Sequence, residues 1–277
     1  ALAGVVETGF FPREATEAIV AGPEAKDVSD AARELLDEIF RDGLLTASGV
    51  YGFWPASSDG DDIVVHDDNN TRFCFLRQQS AYGDSRPNRC LADYVAPSTV
   101  GGRAGDFVGA FAVTAGIGLE ELSARFEADN DDYRSIMAKA LADRLAEAFA
   151  EYLHEVARRE WYETGPPVRP EQLTEESFRG IRPAFGYPAC PDHSEKGKLF
   201  DLLGAEQVGI TLTESYAMFP GASVSGIYLG HPQARYFSVG RVGRDQVEDY
   251  AARKRLPFDE VERWLRPNLG YERIDPA

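Results

Sequence analysis

The sequence predicts an α+β fold organised around an antiparallel sheet. Three observations carry this. Strand-like runs come in pairs at hairpin spacing, helical patterns stand in separate blocks, and no strand–helix–strand alternation marks a parallel sheet. The 277 residues suit one large domain or two small ones, and 43% hydrophobic residues are enough for a real core.

The first helical pattern covers residues 28–41. Ser29 or Asp30 can cap it, Leu35, Leu36, Ile39 and Phe40 make its apolar face, and Gly43 ends it. Residues 50–54 are a short apolar run before Pro55, and the run Ser-Ser-Asp-Gly-Asp-Asp that follows reads as a turn. Residues 62–66 and 71–77 flank Asp-Asp-Asn-Asn and read as two antiparallel strands. Residues 78–105 carry Gly, Pro, Asn and Ser throughout and read as a long loop, which inside a compact domain is often functional. Residues 106–115 read as a buried strand.

The clearest element runs over residues 131–162. Tyr133, Ile136, Met137, Ala140, Leu141, Leu145, Phe149, Tyr152 and Val156 recur at three- and four-residue steps, with acids at the amino end and Arg158 and Arg159 at the other. A short helix at 174–178, a Pro/Gly-rich loop and a helix at 194–203 capped by Ser194 follow. Strands are expected at 209–213, 227–229 and 234–239, and helices at 244–255 and 258–265.

Composition narrows the function. A formal charge of -17, from 29 basic and 46 acidic residues, disfavours phosphate backbones and anionic lipid, so neither nucleic acid nor a membrane is expected as a partner. No run of about 18 apolar residues suggests a membrane span. Three widely spaced cysteines, Cys74, Cys90 and Cys190, suit reduced thiols and a cytoplasmic setting.

The densest chemistry lies in residues 182–196, Arg-Pro-Ala-Phe-Gly-Tyr-Pro-Ala-Cys-Pro-Asp-His-Ser-Glu-Lys. Three prolines and a glycine stiffen its backbone. Arg182 can clamp a carboxylate through two parallel bonds, Tyr187 offers a flat face and a hydroxyl, and the segment ends where a helix begins. A ligand with a carboxylate, an amine and an aromatic ring would use all of these; a rigid connector whose Arg pairs with a surface carboxylate is the alternative. Cys190, Asp192 and His193 match no zinc spacing and read as turn and cap residues. Around Ser223 the run Pro-Gly-Ala-Ser-Val-Ser-Gly lacks the second glycine of a nucleophile elbow and reads as close backbone approach. No phosphate loop or Gly-rich dinucleotide turn is present. Tyr236 and Phe237, adjacent in an expected strand, should point to opposite faces.

The strings at 140–155, 180–196, 212–226, 244–254 and 260–271 closely resemble the carboxy-terminal domain of cobalamin-dependent methionine synthase. Shorter matches at 49–55, 75–79, 90–98 and 109–116 extend the resemblance over nearly all of 44–277, while residues 1–43 match loosely as a lead-in. The resemblance implies a single C-shaped α+β domain around a bent antiparallel sheet with flanking helices. It implies S-adenosylmethionine in a shallow groove, held by Arg182 (carboxylate), Ala184 (backbone), Tyr187, Tyr236 and Phe237, with Glu147 and Glu176 near the groove. Asp143 matches an acid facing the cobalamin domain. The implied role is reactivation: the methyl group goes to cob(II)alamin on a neighbouring cobalamin-binding domain of the same or a partner chain. Flavodoxin or an equivalent reductase supplies an electron. The implied enzyme is a methyltransferase of methionine biosynthesis, of which this chain is one domain and not a complete catalyst. A docking module without its own ligand is the alternative. Setting Phe11-Pro12 on the family's Tyr-Pro puts the family's amine-binding Asp just ahead of residue 1, which implies a cut fragment or a pocket with one anchor fewer. The family's cobalamin-binding motif and homocysteine zinc site are absent from these residues.

Overall fold

A computed structural model describes residues 2–8, 30–79, 87–98, 104–163 and 179–272. The longest strand, β2 (Thr46–Asp59), organises the rest. One edge pairs antiparallel with β5 (Asp106–Ile117), from Thr46↔Ile117 to Ala56↔Asp106. The other edge is shared by β1 (Leu2–Thr8) and β3 (Asp62–Val65). β4 (Arg72–Cys74) extends the sheet beyond β3, and β8 (Ser223–Tyr228) closes it beyond β5. The sheet curls into an antiparallel half-barrel. A separate two-stranded ribbon joins β6 (Thr211–Leu212) to β7 (Met218–Phe219).

The sequence places a short run before Pro55, but the strand continues through it. β1 reaches Phe53 and β3 begins at Ala56, so Pro55 falls in the gap between them. Its carbonyl accepts from the His66 amide on that same edge. The missing N–H therefore faces a point where no ladder bond is required.

Strand alternation divides the core. Tyr51, Phe111, Val113 and Tyr228 pack under Phe149, Ala150, Leu153 and Ala157 of the long helix. Val50, Val108, Ala110 and Ala112 face the opposite way, against Phe73, Phe75, Phe185 and Leu199. β5 is thus buried on both faces, which is why it reads as an unbroken apolar run.

Six α-helices are described: α1 (Asp30–Asp42), α2 (Leu119–Ala128), α3 (Asp132–Trp161), α4 (Glu195–Leu203), α5 (Arg244–Lys254) and α6 (Phe258–Trp264). Asp131 caps α3 by accepting from the Arg134 amide at 3.0 Å. α1 and α2 pack against the amino half of α3 through Leu35, Ile39, Leu122, Phe126, Ala138 and Ala142. α5 and α6 build a third cluster around Val239, Val247, Tyr250, Val261 and Leu265.

Several expectations are corrected. α2 is a helix where the sequence pattern marks none. The residues 234–239 form no strand: the outer edge of β8 is already taken by residues 181–183, through the Ile181↔Leu229 bridge and the Ile227 amide on the Pro183 carbonyl. That segment is tied instead by Val239 N–H to the Pro188 carbonyl and by Tyr94 Oη to the Arg235 carbonyl. The strand expected at 209–213 shrinks to Thr211–Leu212. Within the expected long loop, Leu91–Tyr94 is a 3₁₀ turn that sends Leu91 and Ala92 into the core. Ser194 holds the N-cap position of α4 but makes no side-chain capping bond, because its hydroxyl donates to Asp192. The expected helix at 174–178 lies outside the described residues.

Candidate functional site

The loop before α4 is shaped by its own bonds. Gly186 turns it at φ +96°, and the His193 ring occupies the space a Cβ would need. Glycine is required there on both counts. The Tyr187 amide and the Cys190 thiol both donate to the Ala184 carbonyl, at 3.2 and 3.0 Å. The Gly186 and Cys190 amides bond across the turn to the carbonyls of Cys190 and Tyr187. Phe185 plugs the loop into the core, stacked near Phe73 and Phe75 at 5.5 and 6.0 Å. Beneath it, a Cβ on Gly226 would lie 2.5 Å from the Pro183 carbonyl, so β8 needs glycine for this approach.

The carboxyl end of the loop is fixed by a buried ion network. Lys254 of α5, 2% exposed, sits between Asp192 and Glu195 and also donates to Ser194. Tyr250 donates to Asp192 at 3.0 Å and to the Cys74 carbonyl at 3.1 Å. Burial works against the Asp192 charge, but Lys254 and Ser194 outweigh it and hold its pKa below the ordinary carboxylate range. Asp192 and His193 thus serve the turn and helix start. Ser223 donates to the Pro220 carbonyl at 2.6 Å and lies in β8, with no elbow around it.

Arg182 stands at the other end. Its backbone N–H donates to the Tyr236 hydroxyl at 3.1 Å. Its guanidinium forms a short ion pair with Glu151 of α3. Burial opposes the guanidinium's charge, and Glu151 and Tyr236 reverse that, so its pKa lies above its usual value. Tyr236 and Tyr187 are exposed, 43% and 61% respectively, while Phe237 turns inward against the core. Glu147 is exposed on α3 one helical turn before Glu151, and Asp143 is exposed a further turn back. Phe111, Tyr228 and His154 form a stack with centroids 4.6 and 5.0 Å apart, and the guanidinium bears electrostatically on the last two.

The structure ties Arg182 directly to Tyr236 and to Glu151, with Ala184 and Tyr187 farther along the same loop and Glu147 one turn from Glu151 on α3. Phe237, next to Tyr236, packs toward the core. Glu176 and the Phe11-Pro12 pair lie outside the described residues. Glu151 was missed, although its four-residue spacing from Glu147 put it on the same face of a helix the sequence predicts clearly. A cavity of about 100 Å³ lies elsewhere, lined by Tyr94, Phe107, Trp161, Tyr162, Arg179 and His231. It is below the roughly 300 Å³ of a typical ligand pocket, so the open Arg182 surface is the better candidate.

A family model described as the activation domain of vitamin B12 dependent methionine synthase matches residues 7–255. The chain belongs to this family. It is also similar to a crystal structure of the MetH reactivation domain bound to AdoHcy, at 43% sequence identity over 98% of this chain and 91% of that one, with a TM-score of 0.84. No helix among the described residues of this activation domain is long and apolar enough to cross a membrane.

The side chains of the activation domain suit a ligand with an amino-acid end and a ring. Arg182 supplies a planar cationic fork, Tyr187 and Tyr236 supply accessible rings, and Glu147 and Glu151 supply negative charge one turn apart.

Proposed function

We propose that this activation domain binds S-adenosylmethionine on the surface between α3 and residues 182–187, roofed by Tyr236. Arg182 takes the carboxylate, Ala184 gives backbone contact, Tyr187 and Tyr236 lie against the ligand with Phe237 behind, and the acids Glu147 and Glu176 favour its cationic end. When bound, the ligand supplies a methyl group on a sulfonium. A neighbouring cobalamin-binding domain, of the same or a partner chain, presents cob(II)alamin. That acceptor takes the methyl group together with one electron from flavodoxin or an equivalent reductase, and the thioether leaves. This returns the cofactor of a methyltransferase of methionine biosynthesis to its active cycle. The transfer from cobalamin to homocysteine belongs to other domains.

The observation that carries this reading is the fixed Arg182 fork, its backbone bonded to the exposed Tyr236, with the exposed Tyr187 farther along the same loop. Support comes from the similar reactivation domain, which holds the demethylated form of the same ligand. Isothermal titration with S-adenosylmethionine tests it. A saturable heat is expected, and Arg182→Ala should weaken binding by about 1.5–3 kcal/mol, the loss typical of a charged hydrogen bond. No heat with the unaltered chain would leave only a docking role.

A further inference from the structure

Arg182 does not face the groove alone. Glu151 Oε1 holds its Nη2, and the two side chains are 14% and 28% exposed. A guanidinium carries five N–H donors in a planar fork, so one carboxylate leaves part of it unused. Among the described residues, Arg182 Nη1 is buried and has no hydrogen-bond partner. The buried Phe111–Tyr228–His154 stack lies close enough to feel the guanidinium's charge. Arg182 sits on an irregular loop, while Glu151 sits on a regular helix that packs on three strands. The helix can therefore fix the direction of a long side chain that the loop alone would leave free.

We propose that Glu151 is a positioning residue, which orients the Arg182 fork so that its unused edge meets the carboxylate of the groove's ligand. The inference rests on the reading of this surface as the S-adenosylmethionine site. Two roles follow from the one contact. Without ligand, Glu151 keeps a largely buried cation from being uncompensated. With ligand, two carboxylates share one guanidinium in a forked arrangement, and the ligand's own positive charges offset the second.

The test is isothermal titration of the full chain and its Glu151→Gln variant with two ligands. One is S-adenosylmethionine. The other is decarboxylated S-adenosylmethionine, which keeps the ring, sulfonium and amine but lacks the carboxylate. Glu151→Gln should weaken the first by about tenfold, the equivalent of one charged hydrogen bond, and leave the second unchanged. Added to Arg182→Ala, it should cause no further loss, as expected of residues acting through one contact. Glu151→Asp keeps the charge and should show a smaller loss confined to the first ligand, which secures a readout should the Gln variant fold poorly. Equal losses for both ligands would mean a general loosening and overturn the proposal. An unchanged or tighter affinity for S-adenosylmethionine would make Glu151 a bystander or a competitor and overturn it too. If the unaltered chain binds neither ligand, the S-adenosylmethionine reading itself fails, and this inference with it.

Discussion

His154 shows how burial sets the charge state beneath the site. It is 1% exposed, stacked on Tyr228, and its pKa is pushed down to about 2, by burial first and then by Arg182 and Arg158. Neutral at working pH, it adds no positive charge against the Arg182 guanidinium. The cost appears in acid. Unfolded, this ring titrates at its ordinary 6.5, so below that pH the unfolded chain binds a proton that the folded one refuses. A lowered histidine pKa therefore gives stability that is full above pH 6.5 and falls as pH drops from there toward about 2. The loss approaches about 1.4 kcal/mol per pH unit for this one group. His154→Phe keeps a stacking ring and removes the proton site. Urea unfolding at pH 7, 6 and 5 should show a shallower decline for the variant than for the unaltered chain; parallel declines would remove His154 from the account.

At the scale of elements, the long helix and the loop before α4 were legible in the sequence, and what joins them was not. α3 announces itself by an apolar period kept over some eight turns. The stiff loop announces itself by Pro183, Pro188, Pro191 and Gly186. Residues 234–239 carry a strand-like Tyr-Phe-Ser-Val run, yet strand pairing is non-local, and the β8 edge they would need is occupied by residues 181–183. α2 was hidden because its ten residues follow directly on a strand and its buried face is only Leu122, Ser123 and Phe126. The lock on the loop was equally invisible, since Lys254 lies 62 positions from its partner Asp192. That lock can be tested. Lys254→Met leaves Asp192, 3% exposed, without its cation, while Glu195 keeps Lys198. A buried pair broken on one side costs about 3–5 kcal/mol. Thermal unfolding should show a lowered midpoint for Lys254→Met, and a loss under 1 kcal/mol would mean the network acts like a surface pair.

At the scale of the whole molecule, the candidate groove is a meeting of parts with separate cores. The carboxyl half of α3 belongs to one cluster, Phe185 of the loop to a second, and Phe237 packs at the border of the second and a third. The Arg182 amide on the Tyr236 hydroxyl and the Arg182 guanidinium on Glu151 are among the polar ties across this junction. A ligand seated there touches all three walls and exists only when they are together, so its binding energy adds to the stability of the whole fold. At one hundred times its dissociation constant, a ligand that binds only the folded chain stabilises it by about 2.7 kcal/mol. Unfolding entropy of about 2.1 cal/mol/K per residue turns that into a midpoint shift of about 4–5 °C for a chain of this length. S-adenosylmethionine should therefore raise the midpoint by that amount in differential scanning calorimetry, with all three clusters melting in a single transition. A ligand that steadied only one wall would instead split the transition, shifting one component and leaving the other in place. That result would move the binding site off the junction and onto a single element.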